Sequence, residues 1–261
     1  MFIARNVFNA AAPHYRAALS HYRLEGFVTE HCDALLDVSS LHKALAFFED
    51  DPRDHCRRRH NTLQRRRVER IEEVLTQLSA DKYPGLYKTL WFEVGEAHRA
   101  VLENKIKADR PPLSLSAAAR KSADGYGKYI AAYDVPTVGD DDDAEIGGGG
   151  GGNVWNNSIK RKQPPSKVPD DEERTYLTAR FVRGRVVSKS HGMGSEADAL
   201  AEAMVEYEFI VDYCKRNSVK GFEQEAQLCA EMAELLPTKI DNIRRLEAND
   251  ASAVDPLQHH A

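Results

Sequence analysis

The chain predicts an all-α fold of stacked antiparallel helical hairpins, broken once by a long polar insertion. Three observations predict it. Apolar side chains return every three or four residues through long stretches on both sides of the insertion, the spacing of one helix face. No segment alternates apolar and polar residues between hairpin turns, so strands are not expected. The periodic stretches are separated by short punctuation: Gly26, Asp51-Pro52, Asp81 to Gly85, Pro111-Pro112 and His191 to Gly194. Connections this short place successive helices side by side, in either an α-solenoid or a closed bundle.

The first helix is expected from about Pro13 to Glu25, with Pro13 in its first turn and Gly26 as its stop. The second runs from about Val28 to Asp50. Its stripe of Val28, His31, Leu35, Val38, Leu41, Leu45 and Phe48 is widened past half the circumference by Cys32, Leu36, Ala44 and Phe47, which calls for cover on two sides. The third, from after Pro52 to about Leu78, turns Cys56, His60, Leu63, Arg67, Ile71, Val74 and Leu78 inward. The stretch carries eight arginines between Arg53 and Arg70, all but Arg67 on the other faces, against Asp54 and Glu69 alone. The fourth, about Pro84 to Ala108, packs Leu90, Val94, Ala97 and Val101, joined by Trp91 and His98. The fifth, about Ser114 to Asp134, reads as interrupted by Gly125 and Gly127.

A composition break follows. Asp140 to Asp143, six glycines from Gly147 to Gly152, Lys160 to Lys162 and Pro164-Pro165 bury too little apolar surface to offset the entropy of ordering them. A sixth helix resumes at about Asp170 to Ser190 on Leu177, Phe181, Gly184 and Val187. The seventh is the best specified. Ser195 stands as its N-cap, Glu196 and Asp198 lie at the positive end of its dipole, and Lys215 and Arg216 lie at the other. Its stripe is Leu200, Met204, Tyr207, Val211 and Cys214. The small-aromatic-apolar series Ala203, Tyr207, Ile210 resembles the second helix of a tetratricopeptide unit, where a small residue lets two helices approach. The eighth helix, about Val219 to Leu236, packs Phe222, Ala226, Cys229, Met232 and Leu236. Pro237 is expected to end or kink it before a short amphipathic tail, Thr238 to Leu246.

The chain therefore divides into a helical repeat region of about five helices over 1–134, a disordered acidic and glycine-rich linker over 135–168, a C-terminal helical repeat region of about three helices and a short tail over 169–248, and a disordered tail over 249–261.

Composition narrows function without naming it. A formal charge of -5 over 261 residues is mild, so any electrostatic role comes from local asymmetry rather than bulk charge. Four dispersed cysteines without a C-x-x-C read as reduced thiols of a cytosolic protein. Apolar runs are too short to cross a bilayer, so no membrane insertion is expected. The pairs His31–Cys32, His55–Cys56 and His55–His60, one or five residues apart, lack the i, i+4 spacing that converges on one ion, and Glu93, Glu96 and Glu103 read as solvated helix-face charges. Neither a catalytic constellation nor a cofactor site is marked, and no small-molecule substrate is implied. Tyr207, Phe209 and Tyr213 read as core and groove-lining residues. One alternative stays open, a nucleic-acid-associated helical protein using the arginine-rich helix 53–70, although that stretch lacks aromatic stacking residues.

At five separated points the wording resembles the KIF-binding protein family, also called kinesin-binding proteins: LEGFVTEH (Leu24 to His31), LHKALAFFE (Leu41 to Glu49), WFEVGEAH (Trp91 to His98), EYEFIVDYC (Glu206 to Cys214) and ELLPTKIDNIRRL (Glu234 to Leu246). The resemblance implies a tetratricopeptide-like α-solenoid without enzymatic activity, cytoplasmic and cytoskeleton-associated, which grips the motor domain of certain kinesins and keeps it off microtubules. It covers what would be the C-terminal half of a longer protein. Arg110 to Lys167 departs from the family pattern as an insertion. Glu30, Asp33, Glu206 and Glu208 are acids available to meet a basic motor surface, without any of them being assigned to it.

Overall fold

Eight helices follow one another in a computed structural model that describes residues 2–49, 54–108, 112–136, 162–190 and 195–253. They are α1 (Phe2–His21), α2 (Val28–Phe47), α3 (Asp54–Leu75), α4 (Pro84–Lys107), α5 (Pro112–Ala131), α6 (Asp170–Val187), α7 (Glu196–Asn217) and α8 (Glu223–Ala253). Each packs chiefly on its neighbour in sequence, and α2 also reaches α4. This is the all-α arrangement of stacked hairpins that the periodicity predicts.

Local chemistry sets most of the ends. Pro84 occupies the start of α4, where its missing N–H costs no helical hydrogen bond. Four acids, Asp170 to Glu173, fill the first turn of α6 at the positive end of its dipole. Ser195 caps α7 through a 3.1 Å bond accepted from the Ala197 amide, and the helix stops at Ser218 in the left-handed region, φ 51°.

Two helices differ from expectation at their ends. The first helix starts at Phe2, so Pro13 lies in its interior rather than its first turn. It ends at His21, where a turn through Gly26 follows and His31 Nδ1 donates to the Tyr22 carbonyl at 2.7 Å. Pro237 does not end α8, which continues to Ala253. Leu236 and Ile240 are buried on either side of that proline, and Lys239 bonds Glu196 of α7 at 3.0 Å, so packing holds the helix through it. Residues 249–253 of the expected disordered tail are therefore helical, while 254–261 lie outside the described residues.

Most of the expected linker, 137–161, also lies outside the described residues, but its two ends are described. Val135–Pro136 (β1) and Lys162–Gln163 (β2) pair antiparallel, a bridge too short to show any alternation in sequence. Val168 is buried beyond it, its amide donating to the Tyr213 hydroxyl at 2.9 Å. Ordered structure thus reaches into the 135–168 span from both sides.

One continuous apolar core runs from Cys32 to Ile240. On α3 and α4 the expected inward faces are buried: Cys56, Leu63, Arg67, Ile71, Val74 and Leu78, then Leu90, Trp91, Val94, Ala97 and Val101. On α7 the stripe is broader than expected. Leu200 and Tyr207 are buried, but Ala203, Ile210 and Tyr213 are buried more deeply than Met204, Val211 and Cys214, because α6 and α8 cover the helix from two sides. On α2 the expected Phe47 and Phe48 instead face solvent, 74% and 50% exposed.

Candidate interaction surfaces

The arginine-rich segment divides three ways once it is wound into α3. Arg67, on the apolar side, is 3% exposed and fully engaged: Nε donates to Ser39 Oγ at 2.8 Å, Nη1 to Gln64, and Nη2 to Glu93, whose side chain is 20% exposed. Arg57 caps the last turn of α4 by donating to the Lys107 carbonyl, and Arg59 stands 3.8 Å from Glu49, a carboxylate also held by Arg5. Arg58, Arg65, Arg66 and Arg70 are exposed.

Arg66 and Arg70 line a groove between α1 and α3 whose floor is α2. Its cavity of about 400 Å³ brings Phe8, Tyr15 and Arg16 of α1 against Val38, Leu41 and His42 of α2, with Glu69 its one acid among the described residues. Beyond Arg16 and Arg70 the groove continues into an apolar recess formed by Leu19, Leu24, Leu35 and Val74, with Glu73 at its edge. A parallel groove of about 390 Å³ lies between α3 and α5 over α4, where Arg65, Lys121 and Lys128 alternate with Glu69, Glu72 and Asp124. Each floor carries a histidine, His42 and His98, in the second and fourth helices. Burial pushes both imidazoles down, His98 to about 4, aided by Lys121 near His98 and by Arg70, Arg66 and Arg67 near His42.

The acids fall differently from expectation. Glu30, Asp33 and Glu208 are exposed, but Glu206 is buried and unavailable to a partner. It sits between Arg180, bonded at 2.7 Å with both side chains 6% exposed, and Arg183. Arg183 reaches Glu202 at 2.6 Å, and Glu202 meets Arg120 of α5 at 3.0 Å, so one chain of charges clamps α5, α6 and α7. Arg180 also donates to the Tyr176 hydroxyl and lies 3.6 Å over the Phe209 ring. Sequence reasoning missed this clamp. The available signal was Glu206 within the stripe Ala203, Tyr207, Ile210, Tyr213, where a surface acid does not belong.

The remaining candidates are structural. Tyr207 and Tyr213 are buried, and Phe209 stacks on Tyr213 at 5.7 Å. Glu93 pairs with Arg67, and Glu96 and Glu103 both pair with Arg99. Burial works to raise Glu96, yet hydrogen bonds from Arg99 and Tyr126 hold it below the usual carboxylate value. His60 contacts the Ala46 carbonyl at 3.1 Å. Among the described residues no three His, Cys, Asp or Glu side chains gather as a metal site. Burial pushes the Cys229 thiol up to about 12 and those of Cys32 and Cys214 up to about 11, which keeps all three protonated at neutral pH. No helix among the described residues is long and apolar enough to cross a membrane.

Comparison with known proteins matches residues 3–243 to a family model described as KIF-1 binding protein C terminal. The KIF-binding protein of Danio rerio is 28% identical over 249 residues, covering 92% of this chain and 36% of the relative. Those of Homo sapiens and Drosophila melanogaster are 26% identical over 246 residues and 23% identical over 254, again covering 92% of this chain. The chain thus spans somewhat over a third of the length of these relatives. A de novo designed helical repeat protein overlaps 93% of this chain and 96% of its own at a TM-score of 0.36 and 12% identity, too distant a likeness to argue from.

Proposed function

This chain belongs to the KIF-1 binding protein C-terminal family, and from that premise we propose that it is a non-catalytic adaptor that binds kinesin motor domains and holds them off microtubules. The observation that carries the reading is a family match running from residue 3 to residue 243, on both sides of the 137–161 segment. Its relatives are named for binding kinesin-family proteins.

The physical argument is one of competition. A motor surface that meets acidic tubulin is basic, and a competitor does best with exposed carboxylates on a rigid support. Exposed Glu30, Asp33 and Asp37 recur at helical spacing on α2, and Glu208 and Asp212 do so on α7. Both rows stand on helices anchored in the continuous core, so little order is lost on docking. Such a protein works in the cytoplasm in association with the cytoskeleton, and needs no cofactor. The test is retention of purified kinesin motor domains by the immobilised chain. Saturable retention that weakens as salt rises supports the proposal, and no retention of any motor domain at micromolar concentration removes it.

A further inference from the structure

The groove between α1 and α3 has the opposite charge character from the acid rows, and the motor-binding reading does not use it. Arg66 and Arg70 are exposed and form no ion pair with another described residue, and Arg16 bonds only the Ala12 carbonyl of its own helix, at 3.4 Å. Between these guanidinium groups lies an apolar trough in two parts, one over Phe8, Val38 and Leu41, the other over Leu19, Leu35 and Val74. From Phe8 to Leu19 the trough follows twelve residues of α1, roughly 16 Å between the first and last at the rise of an α-helix, the length of three helical turns.

We propose that this trough docks an acidic amphipathic helix of a partner protein, with its carboxylates on Arg16, Arg66 and Arg70 and its apolar side chains in the two recesses. Charge complementarity selects the sign of the occupant, since three cations face Glu69 and Glu73. The recesses on either side of the Arg16–Arg70 pair select an apolar stripe interrupted by acids, the helix-in-groove mode of recognition. Nucleic acid fits less well. A phosphate backbone presents nothing to the apolar floor, and the Phe8 ring is already packed edge-on against His42 at 5.1 Å rather than open for stacking.

The experiment is fluorescence anisotropy on the full chain with a labelled helical peptide of roughly 18 residues, leucines at i, i+3, i+4, i+7 and glutamates flanking them. A scrambled peptide of the same composition and a single-stranded RNA of matched charge are the comparisons. The glutamate–leucine helix is expected to bind saturably, and the scrambled peptide and the RNA at least about tenfold more weakly. Arg66→Glu with Arg70→Glu should weaken the helix at least about tenfold with unchanged circular dichroism, while Lys220→Glu in the exposed α7–α8 turn should leave it within about twofold. Should the reversed charges unfold the chain, Arg66→Gln with Arg70→Gln removes them without new repulsion and should still weaken binding. Absent binding, equal binding of the scrambled peptide, indifference to the arginine substitutions, or tighter binding of RNA overturns the proposal. No kinesin enters the assay, so its outcome is separate from that of the motor-binding test.

Discussion

A β-carbon placed on Gly125 would stand 2.7 Å from the amide nitrogen of Gly95 and 2.8 Å from its Cα, so α4 and α5 touch backbone to backbone. The Ser122 hydroxyl donates to the Gly95 carbonyl at 3.1 Å beside this contact, and the Tyr126 ring packs on Gly95, 3.0 Å from where a β-carbon would stand. Small residues at a crossing let two helices approach closely. Gly125→Ala should therefore destabilise the protein by about 2–3 kcal/mol through overpacking against backbone that cannot yield. At Gly127 a β-carbon would meet only Arg183 Nε, at 3.4 Å. Gly127→Ala should change stability by less than about 1 kcal/mol, in the stabilising direction expected from helix propensity. Urea unfolding of the two variants checks both statements.

The Arg180–Glu206 pair is buried on both sides. Glu206→Ala would leave the Arg180 charge unpaired in the core, and a loss of about 3–5 kcal/mol is expected. The Arg244–Asp198 pair is exposed and 3.8 Å apart, so Arg244→Ala should cost less than about 0.5 kcal/mol. Chemical denaturation distinguishes the two, and similar losses would contradict the clamp between α6 and α7.

His98 gives the fold an acid limit. Its pKa is lowered from 6.5 to about 4 in the folded state, so on acidification the unfolded chain takes up the proton first. Stability from this group is complete above about pH 6.5 and declines as the pH falls toward 4. His42 is lowered in the same direction, so the informative quantity is a difference between proteins. Between pH 7.5 and 4.5 the parent chain should lose about 2 kcal/mol more stability than His98→Gln. Equal losses, measured by urea titration at the two pH values, would place His98 in water.

Helices whose apolar face meets neighbours along its whole length were legible in the sequence. Leu90, Val94, Ala97 and Val101 are buried as their spacing predicts, and Ser195 caps α7. Misreadings arose where a local rule met a contact between distant residues. Pro237 has the chemistry of a terminator, but Leu236 and Ile240 are held against the core. Gly125 reads as a weak point in a helix, and only the position of Gly95 reveals it as a contact. Glu206 reads as a surface acid because its partner Arg180 lies 26 residues away. The trough between α1 and α3 was invisible for a related reason. Which arginines of α3 surface, and beside which apolar residues, depends on the spacing of two helices that share no sequence signal.

The most direct test of the adaptor reading is microtubule co-sedimentation of a kinesin motor domain, held in its tightly attached state by a non-hydrolysable ATP analogue, while this chain is titrated in. The account predicts that the motor moves from pellet to supernatant with a saturating dependence on the chain. A motor that stays with the microtubules at every concentration, although the chain remains folded, would contradict it.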